Sequence, residues 1–339
     1  MTQDTQLAQA RETALRLEEN LNAIVLGQAR AVRLLLIAVH ARGHALLEGD
    51  VGIGKTTLLR GLTRGLGGES GRIEGSMDMM PTDLIYHTQL DSQGKPRVEP
   101  GPLLRHGESL ATFFFNEINR ARPQVHAQLL RVMAERAVGA FNREFRFPHL
   151  LVFADRNRVE KEETFELPAA ARDRFMMEIP LEYPADDTSL EAVMFDPRFH
   201  DTDALVAEVT PGILPYAGLN ALGARLQQAV NASPRLRAYV LDLWKASHHP
   251  ADYGVQLPDA DGIPPVQVGA SPRGMSLLIR AARVHAWLAG RTSVLPEDVQ
   301  AVFPSVIGHR LTLDPMLEYR RAALVPVLVN KLLNAVAAP

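Results

Sequence analysis

The chain has 339 residues, 46% hydrophobic and 22% charged, which excludes wholesale disorder and fibrous classes. At about 150 residues per domain this length points to two domains. A net charge of −3 argues against a broad phosphate-neutralising surface for nucleic acid, and the absence of cysteine excludes disulfides, thiolate metal ligands and thiol nucleophiles. No apolar run approaches the roughly 18 residues of a membrane helix. Met1-Thr2-Gln3-Asp4 opens without a basic-then-apolar export signal, so a cytoplasmic protein with no membrane span is expected.

In chain order, Leu7, Ala10, Ala14, Leu17 and Leu21 recur at helical period and predict a helix over 6–24, with a second over 28–41 after the break at Gly27. A short apolar segment ending at Glu48 has the length of a buried strand. The Gly-rich run 49–54 follows, and a helix is predicted over 55–66. Further strands are expected over 71–74, 111–115, 150–154 and 175–179, with a helix over 123–135 that Pro123 suits at its first turn. This alternation predicts an α/β core with a mostly parallel sheet over residues 1–185. Two insertions interrupt it: a polar Pro- and Gly-rich stretch over 77–102, and a hairpin over 137–147 turning at Asn142-Arg143. Residues 186–215, with Pro197, Pro211 and Pro215, read as a linker. Every apolar segment beyond has helical period (219–230, 236–246, 275–288 and 326–336), so residues 216–339 are expected to form an all-helical domain split by a polar loop over 248–270.

The chemistry concentrates in Gly49-Asp50-Val51-Gly52-Ile53-Gly54-Lys55-Thr56-Thr57, a phosphate-binding loop between a predicted strand and a predicted helix. Glycines let backbone N–H groups turn inward around phosphate oxygens, and the helix that follows adds its positive N-terminal end. Lys55 would supply a point charge to the β- and γ-phosphates of ATP, and the Thr56 hydroxyl a ligand to Mg²⁺. With Lys at only five positions, a chance match has odds on the order of a few in a thousand.

The apolar strand Ala111–Phe115 ends in Asn116-Glu117. A nucleoside triphosphatase keeps its Mg²⁺ contact and its water-polarising acid at such a strand end, so Glu117 is the candidate general base. The usual residue at position 116 is Asp. An amide oxygen still accepts from Mg²⁺-bound water, but the missing charge is worth about 4 kcal/mol at 4 Å and an effective dielectric of ~20. Weaker Mg²⁺ coupling or slow turnover is therefore expected. His248-His249 reads as a solvated loop rather than a metal site. Met77, Met79 and Met80 read as packing rather than a soft contact surface, and Arg120 and Arg122 as solvated loop residues rather than interface or sensor residues.

The ordered set of segments resembles the MoxR branch of the AAA+ ATPases. The match runs through Val25-Leu26-Gly27-Gln28, Gly49–Thr56, Asn116-Glu117-Ile118-Asn119-Arg120-Ala121 and Leu167–Phe175, and on to Gly269-Ala270-Ser271-Pro272-Arg273-Gly274 and His309-Arg310-Leu311. The resemblance implies an AAA+ P-loop core with a parallel sheet flanked by helices and a C-terminal helical lid. The two insertions then correspond to that branch's helix-2 insert and its hairpin before sensor 1. By the same resemblance, Asn157 stands where sensor 1 orients the attacking water, although Ala154-Asp155-Arg156-Asn157-Arg158 departs from the usual Ala-Thr-x-Asn-Pro. Arg174 stands as the arginine finger for a neighbouring subunit, and Arg273 as sensor 2. A finger acting in trans implies a homo-oligomeric ring, by analogy a hexamer.

MoxR-type ATPases act as chaperones that mature enzymes or insert metal cofactors, usually beside a separate von Willebrand factor A partner. The departures at 116 and 155–158 look similar to MoxR proteins associated with methanol dehydrogenase maturation. Other readings are the motor subunit of a metal chelatase, a nucleic-acid translocase and a nucleotide-gated scaffold with little hydrolysis. The acidic balance speaks against nucleic acid as a partner.

Overall fold

A computed structural model of the chain describes residues 3–157, 164–257 and 262–339. Arg158 and part of the polar loop expected over 248–270 lie outside the described residues. The chain divides into two compact units: Glu12–Arg174 with Ile179–Asn220, and Ala221–Pro339 with Met1–Arg11 and Phe175–Glu178.

The chain opens with α1 (Gln3–Ile24) and α2 (Ala29–His40), followed by β1 (Ala45–Glu48), α3 (Lys55–Leu66) and β2 (Glu69–Glu74). The first insertion folds into a ribbon of β3 (Tyr86–Leu90) and β4 (Pro96–Pro100), where the sequence suggested only a polar segment. Of its methionines Met79 is buried, whereas Met77 and Met80 are exposed. Next come β5 (Leu110–Asn116), α4 (Pro123–Glu135), the hairpin β6 (Ala137–Ala140) and β7 (Arg143–Arg146), β8 (Leu151–Arg156), α5 (Ala169–Arg172) and β9 (Met177–Pro180). The hairpin turns one residue earlier than expected, at Phe141 and Asn142, with φ of 52° and 57°. Two consecutive left-handed residues match the right-handed twist of the flanking strands.

Five strands form the central sheet in the order β2-β5-β8-β1-β9, and the β2/β5, β5/β8 and β1/β8 pairs are parallel. Every residue of β5 is buried, as a middle strand covered on both faces requires. Phe113, Phe115 and Phe153 fill the layers beside it, each at most 1% exposed. The register pairs Phe115 with Ala154 and Leu47 with Asp155. It therefore carries Asn116 and Asp155 to the same edge, the carboxyl ends of the strands, where open α/β sheets bind ligands.

The stretch expected to be a linker, 186–215, is largely helical instead. It forms α6 (Asp187–Phe195) and α7 (Thr202–Glu208), and Leu205 and Val206 are buried. Some of its acids are helix caps: Asp186 accepts from the Ser189 N–H, and Asp201 from the N–H groups of Asp203 and Ala204.

The second unit is built from α8 (Leu219–Ala229), α9 (Pro234–His248), α10 (Pro272–Leu288), α11 (Pro296–Ile307), α12 (Pro315–Glu318) and α13 (Arg321–Ala335). A short antiparallel pair joins them, β10 (Val266–Val268) with β11 (Thr312–Leu313). Leu278 and Ala282 of α10, Val302 and Phe303 of α11 and Leu328 and Leu332 of α13 make its core. Asp298 at the start of α11 is fully buried. It accepts both guanidinium nitrogens of Arg291 at 2.5 and 2.6 Å and the Leu295 N–H at 2.8 Å, and His285 Nδ1 lies 2.6 Å away. His248, expected in a solvated loop, is instead the last residue of α9: its ring is tilted against Trp244 with centroids 4.8 Å apart, and its Nε2 lies 3.0 Å from the Ala270 carbonyl. Among the described residues no helix is long and apolar enough to cross a membrane.

Candidate functional site

The loop between β1 and α3 has its special geometry at two glycines, Gly52 (φ 79°) and Gly54 (φ 91°). Left-handed backbone is open to glycine and strained for other residues, and it turns the loop amides inward. Gly54 hands directly to Lys55, the first residue of α3, so the free N–H groups of that helix point into the same space. Residues 51–57, Asn116, Glu117, Asp155, Asn157 and Thr202 line a cavity of about 300 Å³. Gly49 and Asp50 are not in its wall. Their carbonyls instead accept from Lys55 Nζ at 2.7 and 2.9 Å.

Lys55 is 8% exposed, and a third acceptor, Asn157 Oδ1, lies 2.6 Å from its Nζ. Asn157 Nδ2 donates in turn to Glu117 Oε1 at 3.3 Å, and Arg120 Nε reaches Glu117 Oε2 at 2.9 Å. The loop lysine, the candidate sensor and the candidate base thus form one connected chain. Arg120, its side chain still 43% exposed, belongs to it.

Glu117 stands on left-handed backbone, φ 50° and ψ 50°. Two features fix it there. Its N–H donates to Asp155 Oδ1 at 2.5 Å. On the other side Gly75 N–H donates to the Asn116 carbonyl at 2.8 Å, and a Cβ at Gly75 would lie 2.2 Å from the Glu117 carbonyl oxygen. Only glycine admits that approach.

Asp155, at the end of β8, is 2% exposed. With the Asn116 amide oriented to satisfy both groups, its nitrogen donates to the two Asp155 oxygens at 3.3 and 3.2 Å. Burial pushes the Asp155 carboxyl up to about 6, against the Glu117 N–H and the more distant positive charges of Lys55 and Arg72.

The donor set suits Mg²⁺ arriving with a nucleotide. Thr56, Asn116, Glu117 and Asp155 offer oxygens around one cavity, and Mg²⁺ is characteristically held by one or two protein groups plus substrate phosphates. Among the described residues no cluster of three or more His or acidic side chains forms a self-sufficient metal cage.

Two candidates stand apart from this wall. Arg174 follows α5, half-buried, with its Nε buried and unbonded among the described residues. Arg273 is exposed in the first turn of α10, beside the Ser271 cap that accepts the Gly274 N–H at 3.0 Å, and belongs to the second unit. Sequence reasoning missed Asp155 and Thr202. The signal for Asp155 was present: an acid absent at 116 and an acid present at 155, on strands that neighbour each other.

Comparison with known proteins agrees with this geometry. The family model described as "ATPase family associated with various cellular activities (AAA)" matches residues 44–177, and the AAA lid domain matches 264–326. Protein MoxR of Methylorubrum extorquens is 58% identical over 99% of this chain and 98% of its own length. Chaperone MoxR1 of Mycobacterium tuberculosis is 34% identical over 93% of this chain and 80% of its own. A crystal structure of a Cytophaga hutchinsonii protein, 28% identical, superposes with a TM-score of 0.82 over 99% of this chain and 97% of that one. A parallel sheet with a phosphate loop, a helical second unit and near full-length identity together make this chain a member of the MoxR family of AAA+ ATPases.

Proposed function

We propose that the chain binds Mg²⁺-ATP on the loop at 49–57 and hydrolyses it to remodel a client protein. The observation that carries this reading is the hydrogen-bonded chain from Lys55 through Asn157 to Glu117 at the carboxyl ends of β5 and β8. On entry of a triphosphate, Lys55 exchanges the Gly49 and Asp50 carbonyls for phosphate oxygens, while loop and helix amides take the remaining charge. Glu117 accepts the proton of the attacking water, and Asn157 holds that water in line. Thr56 and Asn116 would hold Mg²⁺ from the protein side, and the ion would supply positive charge against the phosphates.

Arg174 acts on the nucleotide of a neighbouring copy. Its place outside its own cavity wall suits that role, and it implies a ring, which we take to be a hexamer. Arg273 couples the nucleotide state to the helical unit. The names MoxR and chaperone MoxR1 borne by relatives support client maturation as the output. A von Willebrand factor A protein is the expected partner and methanol dehydrogenase the first client to try.

Isothermal calorimetry on wild type and Lys55→Ala tests the reading. Wild type takes up ATP and ADP, and Lys55→Ala loses affinity by about a hundredfold or more, the scale seen when a positioned charge-stabilising group is removed. No uptake by the folded wild-type chain ends the proposal. Glu117→Gln then serves as an affinity bait, because it holds ATP and keeps client and partner attached.

A further inference from the structure

We propose that the negative charge this site sets beside its metal is carried by Asp155, one strand away from position 116, and that Asn116 and Asp155 work as a single unit. The inference rests on the Mg²⁺-ATP reading above and deepens it.

Position and register come first. Asp155 follows Ala154, which pairs with Phe115, and Asn116 follows Phe115, so the two side chains meet at the rim of one cavity. An acid transferred from β5 to β8 therefore moves sideways by one strand and stays in the same pocket.

The partners come second. Asp155 is 2% exposed and accepts the Glu117 N–H and the Asn116 amide. Among the described residues it has no ion pair with Lys, Arg or His. Buried charges in folded proteins are paired or bound to metals, and this one faces a cavity whose wall also holds Thr56. In the orientation that satisfies both groups, Asn116 turns its nitrogen to Asp155 and keeps its oxygen as an acceptor. The amide oxygen would then be available to a water of the metal's shell, and the carboxylate beside it would supply the charge. The expectation of slow turnover counted position 116 alone; counted over the pair, the charge is restored.

The test is a charge swap read by metal coupling rather than turnover. In a Glu117→Gln background, calorimetry gives ATP affinity with Mg²⁺ and with EDTA, and the ratio of the two is the coupling. We expect Asp155→Asn to lower that ratio by about tenfold, equivalent to about 1.4 kcal/mol. Asn116→Asp alone sets two carboxylates against each other and gives no gain. The double substitution Asn116→Asp/Asp155→Asn puts the acid back on β5 and returns the ratio to within about threefold of wild type. Coupling within twofold of wild type in Asp155→Asn overturns the proposal, as does a double variant no better than the single. Thermal unfolding accompanies each variant. If Asp155→Asn does not fold, the double variant, which keeps one carboxylate and one amide, decides alone, and lost coupling there counts against us. The EDTA arm reads the loop itself, so absence of ATP uptake by wild type in both arms sinks the parent reading and is told apart from failure of the swap.

Discussion

Asp155 in the nucleotide unit and Asp298 in the helical unit are both almost fully buried, at 2% and 0% exposure, yet burial leads to opposite results. Burial works against the charge of Asp298 as well, but His285, the two-pronged Arg291 and the Leu295 N–H outweigh it and bring the carboxyl down to about 2. Asp155 has backbone and amide donors only within reach, and its carboxyl is pushed up to about 6. The first is a lock closed within the chain. Asp155 instead lines the cavity at the phosphate loop. Burial of a charge therefore does not by itself report structure or function; the number of cations already in contact does.

The contrast breaks most readily at the lock. Asp298→Asn leaves Arg291 without its anion, and because Arg291 keeps a third of its side chain in solvent the loss falls at the low end for a broken buried pair, about 3 kcal/mol. Urea unfolding should show that loss while ATP affinity per folded molecule stays at the wild-type value. A comparable loss in Asp155→Asn would erase the distinction between the two sites.

A backbone change tests the pocket. Gly75→Ala forces a Cβ against the Glu117 carbonyl, and displacing a reacting group by about 1 Å costs on the order of a hundredfold in rate. We expect turnover to fall by that factor with ATP binding retained. Equal losses in both would make Gly75 a stability residue and nothing more.

Acid and base limbs of stability then sharpen the difference, by about 2–3 kcal/mol each. Asp298 has a folded value below its unfolded one, so its contribution is present above pH ~4 and disappears as pH falls toward about 2. Asp155 has a folded value above its unfolded one. Its protonated form favours the fold, and metal-free stability declines as pH rises from ~4 to about 6. Urea midpoints across that range, for wild type and Asp155→Asn, check the sign: the decline should flatten in the variant.

Much of this was readable before the fold was known, where a local rule decides. The phosphate loop, α3 at Lys55–Leu66 and α4 at Pro123–Glu135 rest on glycines, helical period and a first-turn proline, and these elements run between the expected ends. Three other features yielded to longer-range or masked signals. The ribbon β3–β4 lies almost wholly exposed, so it has no buried face to alternate. Helices α6 and α7 were hidden because Asp186 and Asp201 look like linker acids until seen as caps. Helix α11 contains Pro304, which breaks the pattern a sequence reader looks for. The pairing of Asn116 with Asp155 depends on strand register across 38 intervening positions, which no local period reports.

The left-handed backbone at Glu117 carries a consequence for selection. A glutamate in that conformation stores about 1–3 kcal/mol that glycine would release, less about 1 kcal/mol for glycine's greater freedom when unfolded. Glu117→Gly should therefore raise the unfolding midpoint by the equivalent of about 1 kcal/mol while ATP turnover vanishes. A population of random variants screened for heat resistance alone would drift toward glycine at 117 and arrive at a sturdier, silent protein. Only a screen that also demands hydrolysis would keep the acid there.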